Sequence, residues 1–192
     1  NYIKKNKYPN VFSNSYIVKN YKKNTDKIVI HNGKLNKKIF FHNILSCNSV
    51  FIKKEVFNKY KFCEDKNLSG SEDWDLWLRI ASFEEIFGNK EVSSILIDHS
   101  LRSTRTQELN KINNRIDTLF ERVQDKKIFN LGSNLNYVKS EIYSFKALIN
   151  ASLIKSKLLS IRLLILSIYY RPFRIFEKRT LVILKKIIID FI

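Results

Sequence analysis

Three carboxylates lie within four positions of this chain, beside its two tryptophans. Glu72, Asp73 and Asp75 fall in the run Ser-Glu-Asp-Trp-Asp-Leu-Trp-Leu-Arg-Ile-Ala at residues 71–81. A carboxylate in a cleft can act as a general base that removes a proton from a hydroxyl group. Acidic side chains also suit the first turn of a helix, where they interact favourably with the helix dipole. The stretch therefore has both a catalytic and a structural interpretation.

The spacing of apolar residues predicts that the acidic stretch begins a helix. Apolar side chains recur at intervals of three and four positions, the period of one helix face, at Trp74, Trp77, Leu78 and Ala81. Ser71 can cap this helix through its hydroxyl group, and Gly88 is expected to end it after about Phe87. Asp75 and Arg79 lie one helical turn apart, so an ion pair between them is expected.

Short β-branched and aromatic runs before this helix predict strands. One covers residues 11–18, and another covers residues 44–52, which are nearly all apolar and therefore expected to be buried. Within residues 27–41 the dipeptide Asn32-Gly33 separates the run Lys-Ile-Val-Ile-His from a second run that ends with residues 39–41, and it is typical of a hairpin turn. Because the second arm contains Lys and Asn, a longer loop is the alternative.

The acidic helix is flanked by a shorter helix and a final strand. Residues 53–60 are compatible with a helix, and residues 61–70 are expected to form a loop. The run Val-Ser-Ser-Ile-Leu-Ile at residues 92–97 predicts a strand that ends at Asp98 and His99.

The chain after His99 is predicted to be entirely helical. A seam of an amphipathic helix is formed by Leu109, Ile112, Ile116, Leu119 and Val123. Further helices are expected at residues 138–151, 152–170 and 174–192, with breaks at residues 132–136 and at Pro172.

The formal net charge of +17 is distributed unevenly. Residues 1–70 carry +11, residues 71–138 carry −2 and residues 139–192 carry +8. The basic, Leu- and Ile-rich last helices suit an anionic membrane surface, or they pack their apolar side against the rest of the protein. Nucleic acid is not an expected partner, because the N-terminal lysines are scattered and form no recognisable binding module.

The cysteines and two of the histidines carry no motif. Cys47 and Cys63 lack the spacing of a metal site, so buried, reduced thiols and a cytoplasmic location are expected. His31 and His42 are expected at the surface.

The acidic stretch and the residues before it resemble a known family. The run Glu-Asp-Trp-Asp-Leu-Trp-Leu-Arg at residues 72–79, preceded by Asn-Ser-Val-Phe-Ile-Lys-Lys-Glu-Val-Phe at residues 48–57, resembles the acceptor-side half of the inverting family 2 glycosyltransferases with the GT-A fold. The resemblance covers roughly residues 10–100. It implies an incomplete GT-A-like α/β fold with a mixed sheet and flanking helices over residues 1–100, followed by an all-α basic extension over residues 101–192.

The resemblance also implies roles for individual residues. Asp73 would be the general base that deprotonates the acceptor hydroxyl, with Glu72 as its neighbour in the motif. Trp74 would form the wall beside the acceptor, and Asn48 could reach the sugar. His99 is similar to the histidine that helps to hold the metal and the diphosphate in many of these enzymes.

Two departures from the family pattern limit what the chain is expected to do. Where the family has Gly-x-Phe-Asp-Glu, this chain has Lys-Phe-Cys-Glu-Asp at residues 61–65, and no Asp-x-Asp metal motif precedes residue 71. We therefore expect an N-terminally truncated enzyme, inactive alone, whose Mg²⁺ or Mn²⁺ is held largely by the missing half. The expected substrates are a nucleotide-sugar donor and a glycan or lipid-linked acceptor, used at the inner face of the cell membrane. The alternative is a noncatalytic basic module that binds an anionic membrane or nucleic acid.

Overall fold

A computed structural model describes residues 9–20, 25–99, 108–154 and 156–189. Within these ranges a small mixed sheet with flanking helices comes first, and the part that follows residue 107 is helical. The predicted α/β class is therefore confirmed. The predicted boundary near residue 100 stays a prediction, because residues 100–107 lie outside the described ranges.

The sheet is built around its first strand. Its strands are β1 (Val11–Asn20), β2 (Thr25–Val29), β3 (Gly33–Lys34), β4 (Val50–Ile52) and β5 (Ile86–Ile97). One edge of β1 pairs in parallel with β5, beginning with Val11 opposite Ile86. The other edge pairs antiparallel with β4 and then with β2, and β3 pairs antiparallel with β5. The predicted strand at residues 11–18 is thus confirmed, and it lies at the centre of the sheet.

Seven helices are assigned in the described part of the chain. They are α1 (Asn36–Phe41), α2 (Lys54–Tyr60), α3 (Glu72–Phe83), α4 (Leu109–Arg122), α5 (Leu135–Ile149), α6 (Lys157–Tyr170) and α7 (Lys178–Ile189). Short 3₁₀ turns precede β4, α3, α5 and α7, and a π-helical turn follows α5 at Asn150–Ile154. No helix of the described residues is long and apolar enough to cross a membrane.

Two predicted elements extend differently along the chain. The acidic helix ends at Phe83 rather than near Phe87, because Ile86 and Phe87 are already paired with β1 in β5. Gly88 lies within β5 and does not end a helix. A Cβ atom at Gly88 would lie 2.5 Å from the backbone nitrogen of Asn32, so glycine permits this close approach.

Two predicted strands are wrong in whole or in part. Residues 39–41 belong to the helix α1, where Ile39 and Phe40 are buried. Burial against α3 outweighs the β-propensity of this run, since propensity is weaker than tertiary packing. Only Val50–Ile52 of the predicted strand at residues 44–52 is extended, because residues 47–49 form a 3₁₀ turn.

The helix α3 lies at the centre of the main core. All residues from Trp74 to Ala81 are buried, and they pack with apolar side chains of α1, α4 and α5 and with Val11 and Ile86 of the sheet. A second, smaller cluster joins α5 to α6 and α7 through Ala147, Leu164 and Ile183. The acidic N-terminus of α3 is therefore held between the sheet part and the helical part.

Candidate active site

Carboxylates, and not a serine hydroxyl, satisfy the backbone groups where α3 begins. Ser71 occupies the N-cap position, but its side chain makes no capping hydrogen bond, so the predicted Ser71 cap is wrong. The backbone N–H of Trp74 donates to Oδ1 of Asp73 at 2.7 Å, and the N–H of Gly70 donates to Oε2 of Glu72. The structural interpretation of the acidic stretch therefore holds for both carboxylates.

Asp73 is half-buried, and its surroundings disfavour the charged form. Burial raises the pKa of the Asp73 carboxyl above its usual value, and the nearby charge of Glu72 acts in the same direction. Hydrogen bonds from the Trp74 N–H and from the Asn43 side chain, at 3.2 Å to Oδ1, oppose this shift without cancelling it. A carboxylate with a raised pKa is a stronger base than an ordinary aspartate.

A cavity of about 210 Å³ opens beside the N-terminus of α3. Its wall includes Ser71 and Trp74 of the acidic stretch, together with His42, Asn43, Gly70, Arg115, Ile116, Leu119, Glu141, Ile142, Phe145 and Arg179. Asp73 does not line the cavity itself; it is bonded to Asn43, which does. Trp74 also donates its indole N–H to the carbonyl of Ile39, at 3.1 Å, and so fixes α1 against α3.

Arg115 places a buried cation in this wall. It lies on α4, its guanidinium is 5.9 Å from the ring centre of Phe145, and Nη1 is 3.5 Å from the carbonyl oxygen of Gly70. Burial lowers the pKa of Arg115, while the charges of Glu72 and Asp73 act in the opposite direction. Arg115 is thus close enough to interact electrostatically with both carboxylates of the motif.

Glu141 connects the cavity to the last helices. Its carboxylate accepts hydrogen bonds from Arg174 at 2.7 Å and from Arg179 at 2.6 Å, and lies 3.0 Å from Nδ1 of His42. Burial alone would raise the pKa of Glu141, but the His42 bond and the charges of Arg179 and Arg174 outweigh it and lower the pKa to about 2. Residues from α5, α7 and the segment after α1 therefore form one charged network.

Asp75 has a structural role. It is fully buried and faces away from solvent, with Arg79 Nε at 2.8 Å from Oδ2 and Arg122 Nε at 2.8 Å from Oδ1. The expected pair with Arg79 is confirmed, and Arg122 of α4 adds a second partner. Asp75 thus ties α3 to α4.

Asn48 does not lie in the buried strand that the sequence predicts. Asn48 lies in an exposed 3₁₀ turn, not in a buried strand, and its Oδ1 accepts from the Ser46 hydroxyl at 2.6 Å. The turn is nevertheless close to the motif, because Asp73 and Glu72, after burial, raise the pKa of the neighbouring Cys47 thiol to about 11. Asn48 does not line the cavity.

His99 does not line the cavity either, and the described residues offer no complete metal site. His99 is exposed just beyond β5, where the Asp98 N–H donates to the Lys19 carbonyl at 2.8 Å and the Asn20 side chain donates to Asp98 at 3.0 Å. In the described ranges no three His, Cys, Asp or Glu side chains are grouped to hold a metal ion. His99 and Asp98 alone do not fit the expected divalent metal.

Several residues of the cavity wall were not predicted from the sequence. His42 lines the cavity, and its side chain is also 42% exposed, so it lies at the surface as expected. His31 is buried, contrary to the expectation, with its backbone N–H donating to the Ser15 hydroxyl and its pKa lowered first by burial and then by Lys38. Arg115 and Glu141 had a detectable signal. Each is a charged residue on an apolar helix face, Arg115 beside Ile116 in α4 and Glu141 among the buried side chains of α5.

Comparison of the chain with models of protein families, with curated proteins and with solved structures finds no match. The resemblance to the family 2 glycosyltransferases therefore stays a prediction from the sequence, carried chiefly by residues 48–57 and 71–81.

Proposed function

We propose that this chain is the acceptor side of an inverting glycosyltransferase in which Asp73 is the general base. The observation that carries the proposal is the half-buried Asp73 carboxyl, whose pKa is raised by burial, at the start of α3 beside a partly polar cavity. An inverting transfer needs a carboxylate that removes the proton of the acceptor hydroxyl as its oxygen attacks the sugar. The motif resemblance at residues 72–79 supports the same residue.

The hydrogen bonds of Asp73 suit this role. The Trp74 N–H and the Asn43 side chain both donate to Oδ1, so they hold one oxygen and orient the carboxylate. The proton of the acceptor hydroxyl is then taken by Oδ2. Glu72 does not share this position, since its carboxylate is engaged by the Gly70 N–H, and it acts as a positioning residue for the loop before α3.

The cavity reaches Asn43, the hydrogen-bond partner of Asp73, and its lining suits an acceptor that carries hydroxyl groups. Trp74 and Phe145 offer aromatic surface, and Asn43, Ser71 and Arg115 offer polar groups. Binding sites of this kind combine apolar surface with a few polar groups that fix orientation. A glycan or lipid-linked sugar is the proposed acceptor. The nucleotide-sugar donor and a divalent metal are proposed to bind to the preceding half that the family resemblance implies.

The test measures sugar transfer by the protein that joins this chain to that N-terminal half. Radiolabelled nucleotide sugars are supplied with a membrane or glycan extract as the acceptor. Asp73→Asn is expected to lower kcat by a factor on the order of 10² to 10⁴, the usual contribution of general base catalysis. Asp26→Asn is the matched control, because Asp26 is an exposed aspartate on β2, and it should leave kcat unchanged. Retention of wild-type kcat by Asp73→Asn, with wild-type folding, contradicts the proposal.

A further inference from the structure

The last two helices are apolar on both sides. Their inner side packs against α5 and the π-helical turn after it, in one cluster formed by Leu163, Leu164, Ile183 and Ile187 with Ala147 and Ala151. On the opposite side large apolar residues are exposed, and we call this surface the outer face: Leu158, Ile161, Ile165, Tyr169, Phe173, Ile175, Phe176, Leu181, Leu184 and Ile188. The inner side accounts for the packing of these helices, so the outer face needs another explanation.

The outer face is continuous along each helix and most exposed between them. Its members on α6 are spaced three, four and four residues apart, and those on α7 three and four apart, so each set forms one line along its helix. Between the helices the 3₁₀ turn Pro172–Phe176 presents Phe173 at 77% and Phe176 at 80% exposure, next to Tyr169 at 77%. Soluble monomers rarely leave such extended apolar surface in water.

The charges around the outer face have one sign. Residues 156–189 contain eight Lys or Arg and a single acidic residue, Glu177. Two of the eight, Arg174 and Arg179, are already paired with Glu141 of α5. The exposed cations are Arg162, Lys178, Lys185 and Lys186. Glu177 is already paired, at 2.6 Å from Arg174 and 2.7 Å from Arg171. Exposed cations are therefore in excess, and Arg162 and Lys185 lie within the apolar lines of α6 and α7.

Exposed apolar residues together with an excess of cations favour one kind of binding partner for the outer face. Two copies of the outer face brought together by a two-fold axis would oppose cations to cations, which disfavours a symmetric dimer. An anionic bilayer accepts both features, because apolar and aromatic side chains enter the interface while Lys and Arg meet the lipid headgroups. Lys and Arg can also extend along apolar surface to keep their charges at headgroup level.

We propose that the outer face docks onto the surface of an anionic phospholipid bilayer. The helices α6 and α7 lie along the surface, and Phe173 and Phe176 enter deepest. The proposal rests on the outer face alone and does not depend on the reaction proposed for Asp73, so either can fail without the other.

Vesicle flotation of this chain tests the proposal. We expect the chain to float with vesicles of phosphatidylcholine and phosphatidylglycerol and to bind pure phosphatidylcholine vesicles much more weakly. The double variant Phe173→Ser/Phe176→Ser should bind at least roughly tenfold more weakly, because two aromatic side chains no longer enter the interface. The matched control is Ile28→Ser/Ile30→Ser, which removes two exposed apolar residues of the β2 region and should leave binding unchanged.

A second pair of variants tests the charges. Lys185→Glu/Lys186→Glu reverses two adjacent exposed lysines of α7 and should weaken binding at least roughly tenfold. Lys126→Glu/Lys127→Glu makes the same change at two adjacent exposed lysines between α4 and α5 and should have little effect. Absence of flotation overturns the proposal, as do equal losses in the control variants. So does a dimer, or a complex with nucleic acid, that the Phe173/Phe176 variant dissolves while vesicle binding stays wild-type.

Discussion

Asp73 and Asp75 are two positions apart in α3, yet their surroundings give them opposite roles. Asp75 is fully buried between two arginines, whereas Asp73 is half-buried and bonded to an N–H group and an amide. A buried ion pair that loses one partner leaves an uncompensated charge, while a carboxyl in a desolvated position loses little when it becomes neutral. Substitution by Asn should therefore affect the stability of the protein differently at Asp73 and at Asp75.

For Asp73 we expect a small gain in stability at neutral pH. The pKa of Asp73 is raised in the folded state, so the unfolded chain ionises first as pH rises, and the free energy of unfolding falls through that range. Asp73→Asn removes this loss, and its unfolding free energy should equal or exceed that of the wild type by up to about 0.5 kcal/mol. The advantage should grow as pH rises through the folded pKa and vanish in strong acid. A clear loss of stability at pH 7 contradicts the expected desolvation of Asp73.

For Asp75 we expect a large loss of stability. Asp75→Asn leaves Arg79 and Arg122 without their shared carboxylate and should cost about 3–5 kcal/mol in urea unfolding. Asp117→Asn is a control, because Asp117 is an exposed aspartate that pairs with the Lys146 ammonium group. It should cost no more than about 1 kcal/mol. An Asp75→Asn variant as stable as the control contradicts the structural role of Asp75.

The site could be predicted from the sequence only where its residues are close along the chain. Asp73 and Trp74 can be proposed as site residues because the carboxylates, the tryptophans and the helical spacing fall within one short run. Arg115 and Glu141 come from helices far along the chain, and their approach depends on packing that no local pattern records. Their only local sign is charge on an apolar face. The predicted Ser71 cap is wrong because the Trp74 N–H, which such a cap would bind, donates to the Asp73 carboxylate instead.

At the scale of elements, local periodicity predicted where helices occur better than it predicted the residues at which they end. The helices α3 and α4 follow their apolar spacing, which depends on neighbouring residues alone. The end of α3 and the start of β5 depend on β1, whose Val11 lies 75 residues before its partner Ile86. Residues 39–41 became helix through contact with α3. In both cases a distant element overrode a local preference.

The Glu141 network joins three elements, and its effect on stability should depend on pH. The pKa of Glu141 is about 2 in the folded protein, against an ordinary value of 4.5. A lowered folded pKa contributes stability above the ordinary value, and this contribution is lost as pH falls from about 5 toward 2. Glu141→Gln should cost about 3–5 kcal/mol at pH 7, because Arg174 is fully buried, and should flatten the dependence on pH in acid.

Urea unfolding measured from pH 2 to pH 7 checks this expectation. Glu121→Gln is the control, since Glu121 is an exposed glutamate. Its unfolding free energy should depend on pH in the same way as that of the wild type. If Glu141→Gln kept the full acid-dependent slope of the wild type, another group would be responsible for it.

At the scale of the whole molecule, the helices after residue 107 and the sheet part share the main core. Ile112 of α4 packs in the same cluster as Trp74 and Trp77 of α3 and Val11 of β1. Charged pairs also join the two parts, because Arg122 of α4 contacts Asp75 of α3 and Glu141 of α5 lies beside His42. The site beside α3 therefore depends on both parts of the chain, and the two parts should unfold together.

Cooperative unfolding can be measured because both tryptophans lie in α3. Tryptophan fluorescence reports on α3, and far-UV circular dichroism reports largely on the helices that follow it. We expect coincident transitions for the wild type. Ile112→Ala should lower both midpoints together, with a loss of about 2–5 kcal/mol, because a buried side chain of α4 is removed from the shared core. Leu158→Ala removes a 63%-exposed leucine of the outer face and should move neither midpoint. A circular dichroism transition that shifts while the fluorescence transition stays in place would instead show that the helical part folds independently of the site.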